Sequence, residues 1–200
     1  NSKSSVIEIG PGKGALTEQL SQKKIKELTL IEKDSSLIEE LEKFKKDFPN
    51  INIINGDALN INYNTFIKKN SIIVGNLPFN ISIELLLKWI FLEKWPPNYE
   101  KMYLMFQKEV AERIFAKPCT KKYGRLSVIT QSRCKIKKLI VAKSKIFYPV
   151  PKVDGVVLEL TPHEENINVN IDNLEILVRK SFSHRRKKIK TTLSQYTKLL

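Results

Sequence analysis

Cysteine and histidine are scarce: Cys119, Cys134, His163 and His184 are all that 200 residues contain. Two cysteines cannot build a disulfide framework, and the four residues fall in no recognised zinc spacing, so a reducing compartment is the expectation. Long apolar runs are lacking too. The most apolar stretch, Ile81 to Trp95, is interrupted by Glu84, Lys88, Glu93 and Lys94 and falls short of the ~20 residues that a membrane span requires. Only 7 Gly and 9 Pro occur, with no internal repeat, which excludes a fibrous or solenoid chain. Asn1 to Ser5 carry neither an apolar signal region nor an initiator Met, so the chain reads as clipped at its N-terminus. Negative charge is the last deficit: 21 acidic residues face 35 basic ones, a net +14. Such an excess favours a polyanionic partner, nucleic acid first and an anionic membrane surface second.

What is present is material for a core. With 42% hydrophobic and 28% charged residues, the chain is long enough for one large domain, or for one domain with a small appendage. Short apolar runs at Val6–Ile9, Leu28–Glu32, Ile51–Asn55 and Ile72–Gly75 read as strands. Between them Ala15–Lys24 and Ser35–Phe48 read as helices, the second with Leu37, Ile38, Leu41, Phe44 and Phe48 at helical spacing. Right-handed β-α-β crossovers wind such an order into a parallel sheet. Helices are then expected at Asn80–Leu92, at Glu109–Ala116 and at Leu126–Cys134, with Trp89 and Trp95 both read as core residues on an amphipathic helix. Strands are expected at Lys101–Phe106, Ile136–Val141 and Val156–Leu160, making seven in all. After Pro162 the chain turns polar and then basic-helical, which divides it into a cofactor-binding unit over 1–162 and a small helical appendage over 163–200.

The first strand runs into Glu8-Ile9-Gly10-Pro11-Gly12-Lys13-Gly14-Ala15, where glycines let a backbone approach a ligand at a helix start. Glu32 ends the second strand, where a carboxylate can accept both hydroxyls of a ribose. Asp57, in Asn55-Gly56-Asp57-Ala58-Leu59 after the third strand, faces the same crevice and can accept from an adenine amino group, or it is simply a turn residue. The glycine loop alone fits a nicotinamide oxidoreductase as well as a methyltransferase. Gly75-Asn76-Leu77-Pro78-Phe79-Asn80-Ile81-Ser82, after the fourth strand, decides between them. An adenine amine is a poor nucleophile because its lone pair is delocalised into the ring. Methylating it requires acceptors that favour a pyramidal nitrogen. Asn76 through its side-chain carbonyl and Leu77 through its backbone carbonyl can accept those hydrogens, with Pro78 holding the turn and Phe79 stacking on the base.

These residues resemble the small-subunit ribosomal RNA adenine dimethyltransferases, the KsgA type, over nearly the whole chain. Phe106-Gln-Lys-Glu-Val110, Tyr123-Gly-Arg-Leu-Ser127, Phe147-Tyr-Pro-Val-Pro-Lys-Val-Asp154 and Phe182-x-x-Arg-Arg-Lys187 continue the ordered likeness. The resemblance implies a Rossmann-like class I methyltransferase with a mostly parallel seven-stranded sheet and S-adenosylmethionine as cofactor. It implies cofactor contacts from Glu8, Gly10, Gly12, Glu32, Asp57, Ala58 and Asn76, catalysis at Asn76 to Phe79, and Phe147 on the other face of the target base. Ribosomal RNA and the small subunit are the implied partners of a monomeric, membrane-free enzyme of the cytoplasm or of an organelle. Phe79 stands where the family usually has Tyr, Val150 where it has Pro, and the family's Gln-containing stretch ahead of the first strand is not among the 200 residues. Arg185, Arg186 and Lys187, with neighbouring Arg179, Lys180, Lys188 and Lys190, are expected to meet RNA phosphates, as is a second loop with Lys117, Lys121, Lys122 and Arg125. Lys23, Lys24 and Lys26 read as a solvated face. His184 reads as a surface residue, and the two cysteines as packing. A large-subunit methylase, or a nucleic-acid-binding relative of mitochondrial transcription factor B that keeps the fold without depending on methylation, remains open.

Overall fold

The computed structural model describes residues 4–147, 150–164, 170–184 and 187–194. Seven strands form one sheet: β1 (Ser5–Ile9), β2 (Glu27–Glu32), β3 (Ile51–Asn55), β4 (Ser71–Gly75), β5 (Tyr99–Gln107), β6 (Cys134–Ala142) and β7 (Gly155–Pro162). Their order is β3-β2-β1-β4-β5-β7-β6, with β1 to β5 parallel and β7 antiparallel to both neighbours. The central strands are near-continuous apolar runs because helices cover both faces. Ile7, Ile9, Ile73, Leu104 and Phe106 are buried on one face, and Val6, Leu28, Leu30 and Val74 on the other.

Register places the functional loops. Ile9 pairs with Ile31 on one side and Gly75 on the other, Glu32 with Asn55, and Gly75 with Leu104. The loops after β1, β2, β3 and β4 therefore leave the sheet along one edge. The strand order reverses between β1 and β4, and in open α/β sheets the crevice at such a switch point takes the ligand.

The helices are α1 (Ala15–Ser21), α2 (Ile38–Glu42), α3 (Phe44–Asp47), α4 (Ser82–Ile90), α5 (Lys108–Ile114), α6 (Arg125–Arg133), α7 (Ile171–Ser181) and α8 (Ile189–Thr192). Several differ from the sequence expectation. Ser35–Phe48 is not one helix: Asp34 caps a 3-10 turn by accepting the Ser36 N–H, and the chain breaks again at Lys43. That break sets the Phe44 ring against Gly14, where an added Cβ would fall 2.4 Å from it. The first helix stops at Ser21, closed by a turn from Lys23 N–H to Leu20 O. Cys134 is extended and opens β6 instead of closing α6. Trp95 lies beyond the end of α4, yet both Trp89 and Trp95 are buried, Trp95 beneath the Arg133 guanidinium at 4.6 Å.

β6 is an edge strand with a register shift between Lys138 and Ile140 and three lysines, features that blunt an open edge. Cys134 is buried, and its thiol is pushed up to about 12 by that burial. Cys119 is exposed in a turn at φ 66°, so the packing expectation fails for it. α7 rests on the main core through Val178, Leu174 and Phe182, with Glu175 reaching Arg125 at 3.7 Å. Among the described residues no helix is long and apolar enough to cross a membrane.

Candidate active site

Gly10, Gly12 and Gly14 all have positive φ, at 65°, 58° and 85°. That left-handed turn is what lets β1 reverse into α1 without side chains in the way. A Cβ on Gly12 would meet nothing within 4 Å, so the loop presents open backbone to the crevice. Its N–H groups are held from behind. Gly12 N–H donates to Glu32 Oε2 at 3.0 Å, and Asp34 N–H donates to Glu32 Oε1 at 2.9 Å. Each carboxylate oxygen keeps a further lone pair for a hydroxyl.

Glu8 is 2% exposed, and Thr17 Oγ1 donates to its Oε2 at 2.8 Å. Burial raises its carboxyl to about 7, with the Thr17 bond pulling the other way. In the structure this side chain stands behind the glycine loop and ties β1 to α1.

Asp57 is a turn residue whose carboxylate also meets a lysine. Its Oδ1 accepts the Leu59 N–H at 2.9 Å, which is the turn, while Oδ2 accepts Lys33 Nζ at 2.8 Å. The Lys33 bond, then the Leu59 N–H, hold this carboxyl below the usual range. Ala58 is buried, and its carbonyl accepts the Tyr63 hydroxyl at 2.9 Å. Lys88 Nζ donates to Leu59 O at 2.7 Å. Thr17, Lys33, Tyr63 and Lys88 were not singled out from the sequence, because each acts through a contact that chain distance hides.

After β4, a Cβ on Gly75 would fall 2.7 Å from Leu77 Cδ2 and 3.3 Å from the Ile9 carbonyl. Glycine there lets Leu77, 2% exposed, fold its side chain into the core and fix the main chain of the loop. Ile81 N–H to Pro78 O at 3.1 Å and Ser82 Oγ to Phe79 O at 3.1 Å turn the chain into α4. Asn76 is exposed. Among the described residues neither its amide nor the Leu77 carbonyl makes a hydrogen bond, so both acceptors stand ready for a ligand. A methyl at Gly10 would lie 4.0 Å from Pro78 Cδ, which brings this loop against the glycine loop.

A family profile described as "Ribosomal RNA adenine dimethylase" matches residues 1–198. The chain belongs to that family. It is 40% identical over 198 residues to the ribosomal RNA small subunit methyltransferase A of Blochmanniella pennsylvanica, covering 96% of this chain and 72% of the relative. The corresponding protein of Wolbachia pipientis subsp. Culex pipiens is 42% identical over 194 residues, with the same coverages. Among solved structures, a dimethyladenosine transferase from Plasmodium falciparum superposes with a TM-score of 0.86 at 33% identity, covering 96% of this chain and 68% of that one. The 23S rRNA methyltransferase ErmE gives 0.73 at 25% identity, over 96% and 76%. The fold is the Rossmann-like methyltransferase fold, and the cofactor of the family is S-adenosylmethionine.

For this dimethylase fold the open Gly12 backbone, the anchored Glu32 carboxylate and the Asp57 carboxylate suit a nucleoside cofactor. Phe79 and Phe147 are each half-buried, and among the described residues neither joins an aromatic pair, which leaves ring faces for a base. Arg185 and Arg186 lie outside the described residues. Lys187, Lys188 and Lys190 are exposed. The second basic loop is less free than its sequence suggests, since Lys122 pairs with Glu112 and Arg125 with Glu175. His184 is exposed beside Ser183, as expected.

Proposed function

We propose that this chain transfers methyl groups from S-adenosylmethionine to the 6-amino group of adenines in small-subunit ribosomal RNA, twice at each base. The observation that carries the reading is the pair of unengaged acceptors, Asn76 and the Leu77 carbonyl, held against the glycine loop by Pro78. Membership of the adenine dimethylase family, and relatives near 40% identity named as small-subunit methyltransferases, support the substrate.

Bound there, the cofactor supplies an electrophilic sulfonium methyl. Glu32 holds the ribose hydroxyls and Asp57 the adenine amino group. The target adenine leaves its stack, as unpaired ribosomal loop bases can, and lies between Phe79 and Phe147. Asn76 Oδ1 and the Leu77 carbonyl accept the two amine hydrogens, which turns the nitrogen lone pair out of the ring and toward the methyl. The chain then contributes alignment and electrostatics; the N–methyl bond would form as the methyl–sulfur bond breaks, leaving a neutral thioether, and the resulting ammonium would be acidic enough to release its proton to water.

Residues 1–162 form the catalytic unit, and 163–200 contribute cations to the RNA. The protein acts as a monomer, in the compartment where small subunits mature. Transfer of labelled methyl to small subunits, compared with naked RNA from either subunit, tests the reading. Label on adenine N6 of small-subunit RNA is the expected result. Label only on large-subunit RNA, or none with any acceptor, overturns it.

A further inference from the structure

Asp57 opens a tight turn whose two following peptides are both held from behind. The Ala58 carbonyl accepts the Tyr63 hydroxyl at 2.9 Å, and the N–H of the same peptide, that of Leu59, donates to Asp57 Oδ1 at 2.9 Å. The next peptide repeats the arrangement. The Leu59 carbonyl accepts Lys88 Nζ at 2.7 Å, and the Asn60 N–H donates to the Asp57 carbonyl at 2.8 Å. A peptide is planar and trans, so fixing its carbonyl on one side fixes the direction of its N–H on the other. Hydrogen bonds in such a chain also polarise one another, which strengthens the Leu59 N–H as a donor to the carboxylate.

The two outer donors are themselves fixed. Tyr63 begins a 3-10 turn and is buried, its ring edge-on to Trp89 at 5.6 Å and tilted against Phe66 at 5.5 Å. Burial raises its hydroxyl above the usual tyrosine range, so it stays protonated as a donor. Lys88 projects from α4, the helix that follows the Asn76 loop, and its ammonium lies 5.8 Å from the Tyr63 ring centroid. Lys33, which meets Asp57 from outside, is an exposed partner, and a pair of that kind holds a carboxylate weakly. Inward-facing carbonyls anywhere on the turn would need donors. Here both donors fall on the two peptides whose N–H groups return to Asp57, a coincidence that packing alone does not require.

We propose that Tyr63 and Lys88 are positioning residues for the cofactor: acting through the Ala58 and Leu59 peptides, they aim the Asp57 carboxylate at the 6-amino group of its adenine. The inference rests on the reading above of Asp57 as the adenine acceptor and adds what makes that acceptor selective.

The test compares S-adenosylhomocysteine with its analogue carrying hydrogen in place of the 6-amino group, by titration calorimetry on the full protein without RNA. In the parent the amino compound should bind ~10-fold or more tightly than the analogue, the worth of a hydrogen bond to a carboxylate. Tyr63→Phe should cut that preference by ~3- to 10-fold, and should cut it no further in an Asp57→Ala background, where the preference is already lost. Lys88→Met should lower it in the same direction and carries the test if Tyr63→Phe fails to fold. Tyr99→Phe removes another buried hydroxyl, one that donates to the Trp89 carbonyl of the same helix at 3.2 Å, and should cost stability in thermal unfolding while keeping the parent's preference. A preference unchanged in either folded variant, or lowered equally in Tyr99→Phe, overturns the proposal. Asp57→Ala shows which idea has failed. If the parent lacks the preference, or keeps it in Asp57→Ala, Asp57 is not the adenine acceptor and the proposal falls with that reading; if Asp57→Ala loses it and Tyr63→Phe does not, only the positioning role falls.

Discussion

Gly12 N–H and Glu32 Oε2 lie 3.0 Å apart in a hydrogen bond that spans 20 residues and joins the loop after β1 to the end of β2. The two halves of the proposed cofactor site are thus one mechanical unit. The carboxylate proposed to receive the ribose also orients the glycine backbone.

Glu32→Ala should therefore weaken S-adenosylmethionine binding by the loss of charge-assisted hydrogen bonds, ~1.5 to 3 kcal/mol, or roughly 10- to 150-fold in Kd. Glu32→Gln, which keeps one acceptor, should fall between. Titration calorimetry reads both, and a Kd for Glu32→Ala equal to the parent's removes Glu32 from the site.

Glu8 makes stability depend on pH. Its carboxyl titrates near 7 in the folded chain against an ordinary value near 4.5. Below both values each state carries the proton. Between them the unfolded chain ionises while the native one stays protonated, so stability falls as pH rises through that window, by up to about 3 kcal/mol. Glu8→Gln keeps an acceptor for Thr17 and cannot ionise. Urea unfolding at pH 5, 6, 7 and 8 should show the variant gaining on the parent as pH rises. Parallel curves would mean that Glu8 is not buried as described.

Gly75→Ala tests how the catalytic loop is built. The added Cβ meets Leu77 Cδ2 at 2.7 Å and the Ile9 carbonyl at 3.3 Å, and backbone cannot give way as a flexible side chain can. Overpacking of this kind costs ~1 to 3 kcal/mol. Because Leu77 anchors the loop, turnover should fall by more than cofactor affinity does. Wild-type stability and turnover together would show that the loop does not depend on this packing.

The motifs were legible because they are punctuation: glycines at a strand end, a carboxylate at the next strand end, and Asn-Leu-Pro-Phe at the fourth. The strands were legible as apolar runs: β3 has the expected bounds, and the other six are longer by one or two residues at one or both ends. The segment 35–48 misled because its helical spacing is real, yet the chain breaks at Lys43 and sets the Phe44 ring against Gly14, a tertiary contact that periodicity does not show. Glu8 is a cofactor contact only by the resemblance, and its burial against Thr17, nine residues away, does not show in the sequence because both faces of β1 are covered. The pairings that spend Lys122 and Arg125 are also invisible in sequence, where every lysine looks equally free.

Cations of the appendage make a separate contribution to RNA affinity. Lys187, Lys188 and Lys190 are exposed, and replacing them together by Gln should lower the salt slope by about 2 if all three meet phosphates of unpaired RNA. An unchanged slope would make this run a solvated face.

Asn76→Ala separates alignment of the amine from binding. The amide presses its advantage only as the nitrogen pyramidalises, so its loss belongs to the transition state and should appear in turnover, with cofactor and RNA affinity nearly unchanged. By comparison with other lost transition-state hydrogen bonds, the rate should fall ~100-fold or more. Phe79→Ala should behave differently. Stacking on an extruded base, worth ~1 to 3 kcal/mol, exists before transfer as well as during it, so binding and rate should both suffer. Single-turnover transfer of labelled methyl, with affinities measured in parallel, distinguishes the two patterns. If Asn76→Ala transfers at the parent rate, the free acceptors at the end of β4 are not what activates the amine, and the chemistry must be sought in another part of the crevice.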